Sequence, residues 1–476
     1  MKRLFLAALL ALLPGLAPAA AKPNIVVIFI DDLGYADIGP FGATKQKTPH
    51  LDRMAREGMK LTSFYAAPVC SVSRAQLLTG CYGPRVSVPG VYFPGQGEGL
   101  HPQETTIAEH LREQGYATAC IGKWHLGDQA AFLPTKQGFD RYFGIPYSND
   151  MAQPARGTSE PVSPLLRGDQ VAELLTNPQQ SRLVERYTAE ATRFIRDSKD
   201  QPFFLYFPHS AVHTPIWPGE AFRGKSANGR FGDWVEEMDW SVGQVLDTLR
   251  ELQLDEKTLV LFTSDNGPWL VKGTDGGSAL PLRGGKGSTW EGGVRVPTLA
   301  RWPGHIKPGT VSDAVAGTID ILPTAVALAG GTLPTAPAID GRDLTPLLLG
   351  ETKQSPREAH FYFSGYNLQA VRRGPWKLAI TPQPEKGAPA PSPAPRLYNL
   401  DQEIGEQTDL AAQHPDTVAQ LQALAQKMNA AIGGPNPTSR RPAGLVADPH
   451  PLYPFAEAET KPPAKAAPAK PAGAKP

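Results

Sequence analysis

Beyond its N-terminus the sequence contains no run of 18 apolar residues, so no membrane-spanning helix is expected in the mature chain. A charge excess of either sign is also missing. The 47 basic and 46 acidic residues leave a formal net charge of +1, which removes any bulk electrostatic case for nucleic acid or a membrane surface as partner. Internal repeats are absent. Cysteine is scarce, with only Cys70, Cys81 and Cys120. An exported chain can pair two of these, which leaves one over to be explained.

What is present is ordinary globular composition, 41% hydrophobic and 20% charged, in 476 residues that suffice for two or three domains. The first residues read as a targeting segment. Lys2 and Arg3 precede the apolar run Leu4–Leu13, which is too short to span a bilayer, and Ala17, Ala19 and Ala21 offer small-residue cleavage sites. A signal peptide over residues 1–21 and an exported, periplasmic or extracellular product are therefore expected. No cysteine follows the apolar run, so no lipid anchor is implied.

From residue 22 to about 355 strand-like and helix-like segments alternate. Asn24–Ile30 is a continuous β-branched run of the kind buried on both faces. Thr48-Pro49 opens a helix that Gly58 stops. Thr105–Gln114 predicts a second helix and Trp234–Leu252 a strongly amphipathic third. Tyr116–Ile121, Phe203–Phe207 and Thr258–Thr263 read as strands. The alternation predicts a mostly parallel sheet with helices on both faces. Residues 356–432 predict a smaller α+β unit, with short strands at Phe361–Phe363, Gln369–Arg373, Trp376–Ile380 and Arg396–Asn399 and a helix over Asp416–Ile432. A Pro/Ala-rich insert, Pro382–Pro395, interrupts it. Residues 433–476, rich in Pro, Ala and Lys towards the end, read as a disordered tail.

The polar residues that carry chemistry fall at strand ends. Asp31-Asp32 follows the first strand, where open α/β sheets bind ligands, and Asp265-Asn266-Gly267 follows Thr258–Thr263 in the same way. Either pair alone is only a turn. Together they offer hard oxygen ligands suited to calcium or magnesium rather than zinc. Cys70 stands just before a helix start, where backbone N–H groups favour an anion, and Arg74 lies one turn on. An isolated cysteine is more often a small buried hydrophobe. Gly122-Lys123-Trp124-His125 follows the strand ending at Ile121, His213 follows Phe203–Phe207, and Lys286 sits in the glycine-rich loop Arg283–Gly287. Gathered at one sheet edge, these groups suit a tetrahedral oxyanion, with cations to neutralise it and a histidine to protonate a leaving oxygen. Sulfate and phosphate esters both fit.

In these segments the chain resembles the formylglycine-dependent sulfatases, nearest the arylsulfatase A and N-acetylgalactosamine-6-sulfatase branch. The resemblance runs through Pro23–Gly39, the Cys70 segment, Gly122–Gly127, Ala131–Asp150, Phe203–Pro215, Thr263–Pro268 and Leu282–Pro297. It implies an alkaline-phosphatase-like, doubly wound α/β fold followed by a small antiparallel sheet with a helix. It further implies that Cys70 is oxidised by a formylglycine-generating maturation enzyme to an aldehyde, whose hydrate attacks sulfur with one hydroxyl and expels sulfate with the other. By position, Asp31, Asp32, Asp265 and Asn266 match the ligands of one calcium ion, with the converted Cys70 beside them. Arg74 and Lys123 match residues that hold the hydrate, and His125 matches the base for sulfate release. His213 matches the acid towards the leaving alcohol, Lys286 a sulfate contact and Ser148 a polar substrate-binding position. The implied reaction is hydrolysis of a sulfate monoester, on a sulfated sugar, polysaccharide or aryl sulfate. The competing functions are a phosphonate or phosphodiester hydrolase on the same site and a non-catalytic relative that binds sulfated glycan. Two departures stand out: Val72 occupies a motif position that is usually Pro or Ala, and Cys81 stands where the family often has Arg.

Overall fold

The computed structural model describes residues 22–383 and 395–453; the leader expected at residues 1–21 and nearly all of the insert 382–395 lie outside these. Asn24–Ile30 runs through the middle of an eleven-stranded sheet. It pairs in parallel with Phe203–Pro208 on one side and Thr258–Ser264 on the other. Ala117–Ile121 and then Arg141–Gly144 extend the parallel part beyond Phe203–Pro208. Parallel register puts the carboxyl ends of these strands at one edge, which delivers Asp31, Gly122, His209 and Asp265 to the same rim. The sheet is mixed at its margins. Thr298–Arg301 runs antiparallel to Thr258–Ser264 and to Met59–Leu61, and the hairpin Pro161–Arg167/Gln170–Thr176 closes the opposite side.

Strand alternation explains the two cores. Ile25, Val27 and Phe29 point to a face shared with the buried helix Cys70–Thr79 and with Leu322 and Val326 of the helix Ile321–Leu328. Val26, Ile28 and Ile30 point to the other, covered by Leu183–Asp197, by Gly229–Glu251 and by Leu51 and Met54 of Pro49–Glu57. This is the expected alkaline-phosphatase-like α/β arrangement, with helices on both faces of a largely parallel sheet.

His360–Ser364, Asn367–Arg373, Trp376–Ala379 and Arg396–Asn399 form the expected separate antiparallel sheet, paired in sequence order. Leu421, Ala425 and Ile432 of the helix Pro415–Ile432 pack against it. Lys377, fully buried, ties this sheet to the larger unit: its ammonium donates to the Thr289 carbonyl at 2.8 Å and pairs with Glu291 at 3.0 Å and Glu406 at 2.7 Å.

One sequence expectation needs correction, and one open pairing is resolved. The described part of the tail is not structureless. Gly444–Leu445 pairs antiparallel with Glu98–Gly99, Arg441 forms an ion pair with Glu104, and the Tyr453 hydroxyl donates to the Val162 carbonyl at 2.8 Å. Main-chain and arginine contacts hold most of the segment, with apolar burial confined to Leu452 and Tyr453, so its hydropathy gave little sign of order. The three cysteines are all unpaired and buried. Cys81 instead lies 3.3 Å from the Arg441 guanidinium, so a cation reaches this position from the tail. Among the described residues no helix is long and apolar enough to cross a membrane.

Candidate active site

Asp31 is fully buried at the end of the central strand, where its main chain bonds Ala211 and Val212 on both sides. Asp32 follows with φ +59°, a left-handed conformation uncommon for a non-glycine residue. Its N–H donates to Asp265 Oδ1 at 3.2 Å, which joins the two strand ends. Asn266 Nδ2 donates to Asp32 Oδ1 at 2.7 Å. A turn this tight needs glycine next: a Cβ at Gly267 would lie 1.8 Å from the Gly292 carbonyl oxygen.

Cys70 is the first residue of the helix Cys70–Thr79, entered through extended Val69 without a side-chain cap. The leading N–H groups of that helix have no intrahelical partner. Ser73, one turn in, bonds Ala67 N–H and the Asp265 carbonyl, anchoring the helix start to the Asp265 loop. Cys70 Sγ lies 3.5 Å from Asp31 Oδ1. Arg74 extends from the next turn and is wholly buried, donating to Asp265 Oδ2 at 2.8 Å and to the Lys123 carbonyl at 2.7 Å.

Lys123 reaches the same centre because Gly122 turns the chain sharply with φ +130°, where a Cβ would meet the Pro208 carbonyl at 1.8 Å. The Lys123 ammonium pairs with Asp31 Oδ2 and donates to Ser148 Oγ at 3.2 Å. Lys286 contacts Asp32 from the opposite loop at 2.7 Å and 2.9 Å. His213 Nδ1 lies 2.6 Å from the Thr214 carbonyl, which only accepts, so that nitrogen carries the proton and Nε2 faces Asp32 Oδ2 at 3.6 Å. His125, also at positive φ, bonds the Tyr92 carbonyl through Nε2 at 3.0 Å and leaves Nδ1 without a partner.

Ten of the eleven residues expected at the site are buried and Lys286 is partly buried, all around one centre. Three carboxylates face three permanent cations. Burial opposes charge on Asp31, yet the cations Lys123, Arg74 and Lys286 hold its carboxyl well below the usual range. Burial and the Asp31 charge push Asp265 up to about 7 against the pull of Arg74 and Lys123. Burial, with the Asp265 charge, drives the Cys70 thiol far above its ordinary value. Burial, with Lys286 for His213 and Lys123 for His125, drives both imidazoles well down, so both are neutral at pH 7.

The donor set fits a hard cation. Asp31, Asp32, Cys70 and His213 present ligand atoms within 4.8 Å of one another, and Asn266 Oδ1 is a buried acceptor with no partner. Two of these atoms, a thiol and an imidazole, are softer than the oxygen-only set expected from sequence. Nδ1 of His213 is committed to the Thr214 carbonyl, which leaves Nε2, the nitrogen facing Asp32, as the free donor.

Sequence reasoning missed three neighbours. Tyr92 holds His125; Asn149, beside Ser148, donates to the His213 carbonyl at 3.1 Å; and Trp269 packs on His213 with ring centroids 5.2 Å apart. Asn149 and Trp269 lie within or one residue beyond the segments already singled out, but nothing in the local spacing marks them.

The chain is similar in sequence and fold to known sulfatases. The sulfatase family profile matches residues 23–331, and that of the N-sulphoglucosamine sulphohydrolase C-terminal region matches residues 285–380. Human arylsulfatase A is 42% identical, covering 91% of this chain and 93% of its own. Human N-acetylgalactosamine-6-sulfatase is 40% identical, covering 76% and 72%. The solved PsFucS1 sulfatase from Pseudoalteromonas sp. superposes with a TM-score of 0.79 at 30% identity, covering 86% of this chain and 90% of that one.

Proposed function

The chain belongs to the sulfatase family and is a sulfuric ester hydrolase, and from that premise we propose that it cleaves sulfate monoesters of sugars with a formylglycine made from Cys70 and one calcium ion. The observation that carries the proposal is the position of Cys70. It opens a buried helix with Sγ 3.5 Å from Asp31 Oδ1, where three carboxylates and three cations converge. An unmodified thiol is a poor nucleophile here, since burial and Asp265 hold it protonated. The converted residue supplies a hydrated aldehyde, with a hydroxyl in place of the thiol.

Asp31, Asp32, Asp265 and Asn266 would hold calcium, which supplies positive charge next to the sulfate oxygens. Lys123 and Lys286 already sit on Asp31 and Asp32, so a bound anion and a divalent cation redistribute existing pairs rather than introduce unbalanced charge. Lys123, Lys286, Ser148 and His213 bind the sulfate. Arg74 fixes Asp265 and the Lys123 main chain and orients both. The unpartnered Nδ1 of His125 accepts a proton during sulfate release. His213 Nε2 serves the leaving alcohol: an arriving anion beside the neutral imidazole favours its protonated form.

The sugar assignment rests on the name of the N-acetylgalactosamine-6-sulfatase relative and on the exported character read from residues 1–21. Cys70 is 1% exposed, so its maturation enzyme must act on the chain before folding. The test is turnover of 4-nitrophenyl sulfate and 4-nitrophenyl phosphate by matured protein, with calcium content measured alongside. The sulfate is preferred, Cys70→Ala is folded and inactive, and Asp265→Ala loses calcium and turnover together. Activity in Cys70→Ala would remove the nucleophile, and a faster phosphate ester would move the site to phosphoester hydrolysis.

A further inference from the structure

Charged groups surround the position assigned to the sulfate, and Trp269 adjoins them on the His213 side. Trp269, half-buried, stands one residue beyond the Asp265–Pro268 turn. Its ring packs against His213 at 5.2 Å, tilted by 45°, and the Lys286 ammonium lies 4.6 Å from its centroid. The indole therefore adjoins both the side chain assigned to the leaving oxygen and a cation assigned to the sulfate. Lys272 places a second ammonium 4.2 Å from the same ring. These contacts fix the ring before any substrate arrives.

The segment after Trp269 carries exposed apolar side chains. Leu270 is 44% exposed, Val271 54% and Leu280 72%. Single exposed apolar residues mean little, but three within eleven residues, next to a half-buried tryptophan packed on His213, have the composition of a ligand-binding wall. The other sheet-end loops at the centre present polar or charged groups: Asp31-Asp32, Lys123, His125 and Ser148. Apolar contact with a substrate is thus available on the Trp269 side, beside His213.

We propose that Trp269 is the platform for the leaving alcohol, selecting sulfate esters whose alcohol carries a ring with a C–H or π face that packs on the indole. This deepens the sulfatase reading and rests on it. The shared chemistry is a flat or chair-shaped ring, supplied by either a sugar or an aryl group. Lys272 is exposed, and its side chain yields to the ring that replaces it.

The test compares matured wild type, Trp269→Phe and Trp269→Ala on three esters: methyl galactoside 6-sulfate, 4-nitrophenyl sulfate and glycerol 1-sulfate. The first and third are both primary-alcohol esters and differ chiefly in the ring. Inorganic sulfate affinity is measured by calorimetry on each protein. In Trp269→Ala, kcat/KM for the preferred ring ester should fall about ten-fold relative to glycerol 1-sulfate, carried by KM, with Trp269→Phe close to wild type and inorganic sulfate affinity unchanged. A larger loss on the galactoside identifies a sugar platform, and a larger loss on the nitrophenyl ester an aryl one. Equal losses on all three esters, carried by kcat, would show that Trp269 only supports His213 and would overturn the inference, as would no loss. A wild type that neither binds inorganic sulfate nor turns over any ester would refute the sulfatase reading itself, and the inference with it.

Discussion

Replacing Lys377 by Met removes the one ammonium shared by two buried carboxylates at the junction of the large sheet and the small one. Lys377, Glu291 and Glu406 are all fully buried. The two acids are not equally provided for. Glu291 also accepts from Tyr65 at 2.6 Å, Tyr362 at 3.2 Å and Arg295 at 3.3 Å, with Arg372 at 3.9 Å. Despite its burial, Lys377 and the two arginines hold it down to about 2. Among the described residues, the Glu406 carboxylate has besides Lys377 only the Glu291 N–H at 2.6 Å, and burial pushes it up to about 7. The loss therefore falls mainly on Glu406, and an uncompensated buried charge of this kind costs about 3–5 kcal/mol. Lys377→Met should lower the denaturation free energy by that amount at pH 8. It should lose less at pH 6, because a raised carboxyl contributes stability below its unfolded value near 4.3 and loses it as pH rises through its folded value. Lys377→Met combined with Glu406→Gln should recover most of the loss, with a coupling of about 2 kcal/mol or more in the double-mutant cycle. Urea titrations followed by tryptophan fluorescence give both numbers. A loss under 1 kcal/mol, or strict additivity, would refute the reasoning.

His213→Ala should slow alkyl sulfates at least ten-fold more than 4-nitrophenyl sulfate, since acid assistance matters most for a poor leaving group; equal losses would remove its acid role. Glu237, pushed up to about 8 by burial, contributes stability below about pH 4 that is lost as pH rises through 8. Glu237→Gln keeps an acceptor for the Gly219 N–H and should flatten the fall in melting temperature between about pH 5 and 8; an unchanged slope would show that another group titrates there. Val72→Ala should raise the fraction of Cys70 converted in a foreign host, at a stability cost of about 2 kcal/mol for two buried methyl groups. Val72 is packed tightly enough that a Cβ at Gly83 would lie 2.4 Å from its Cγ1. Equal conversion in both proteins would clear Val72 of any effect on maturation.

The rim of the site was readable because each motif directly follows an apolar β-branched strand: Asp31 after Ile30, Gly122 after Ile121, Asp265 after Ser264. Parallel pairing then does the rest, without any long-range information in the motifs themselves. The four strands of the small sheet were readable for the same reason, being short apolar runs between turns. The Cys70–Thr79 helix carried little amphipathic signal, since it is buried on every side. The helix Leu183–Asp197 did carry one, through Leu183, Val184, Tyr187, Ala191, Phe194 and Ile195, and was overlooked behind its many charged residues. What sequence could not supply was pairing. That Lys123 lands on Asp31, Lys286 on Asp32 and Arg74 on Asp265 depends on three loops meeting. Trp269 was invisible for a similar reason, because an aromatic after a turn looks the same whether it faces solvent or a catalytic histidine.

The most direct test of the central claim is peptide mass spectrometry across Val69–Arg74, on protein made with a formylglycine-generating enzyme and assayed in parallel on 4-nitrophenyl sulfate. An aldehyde at position 70, in a fraction of molecules that tracks specific activity, is the predicted result. Full turnover by protein whose Cys70 is still an intact thiol would contradict it.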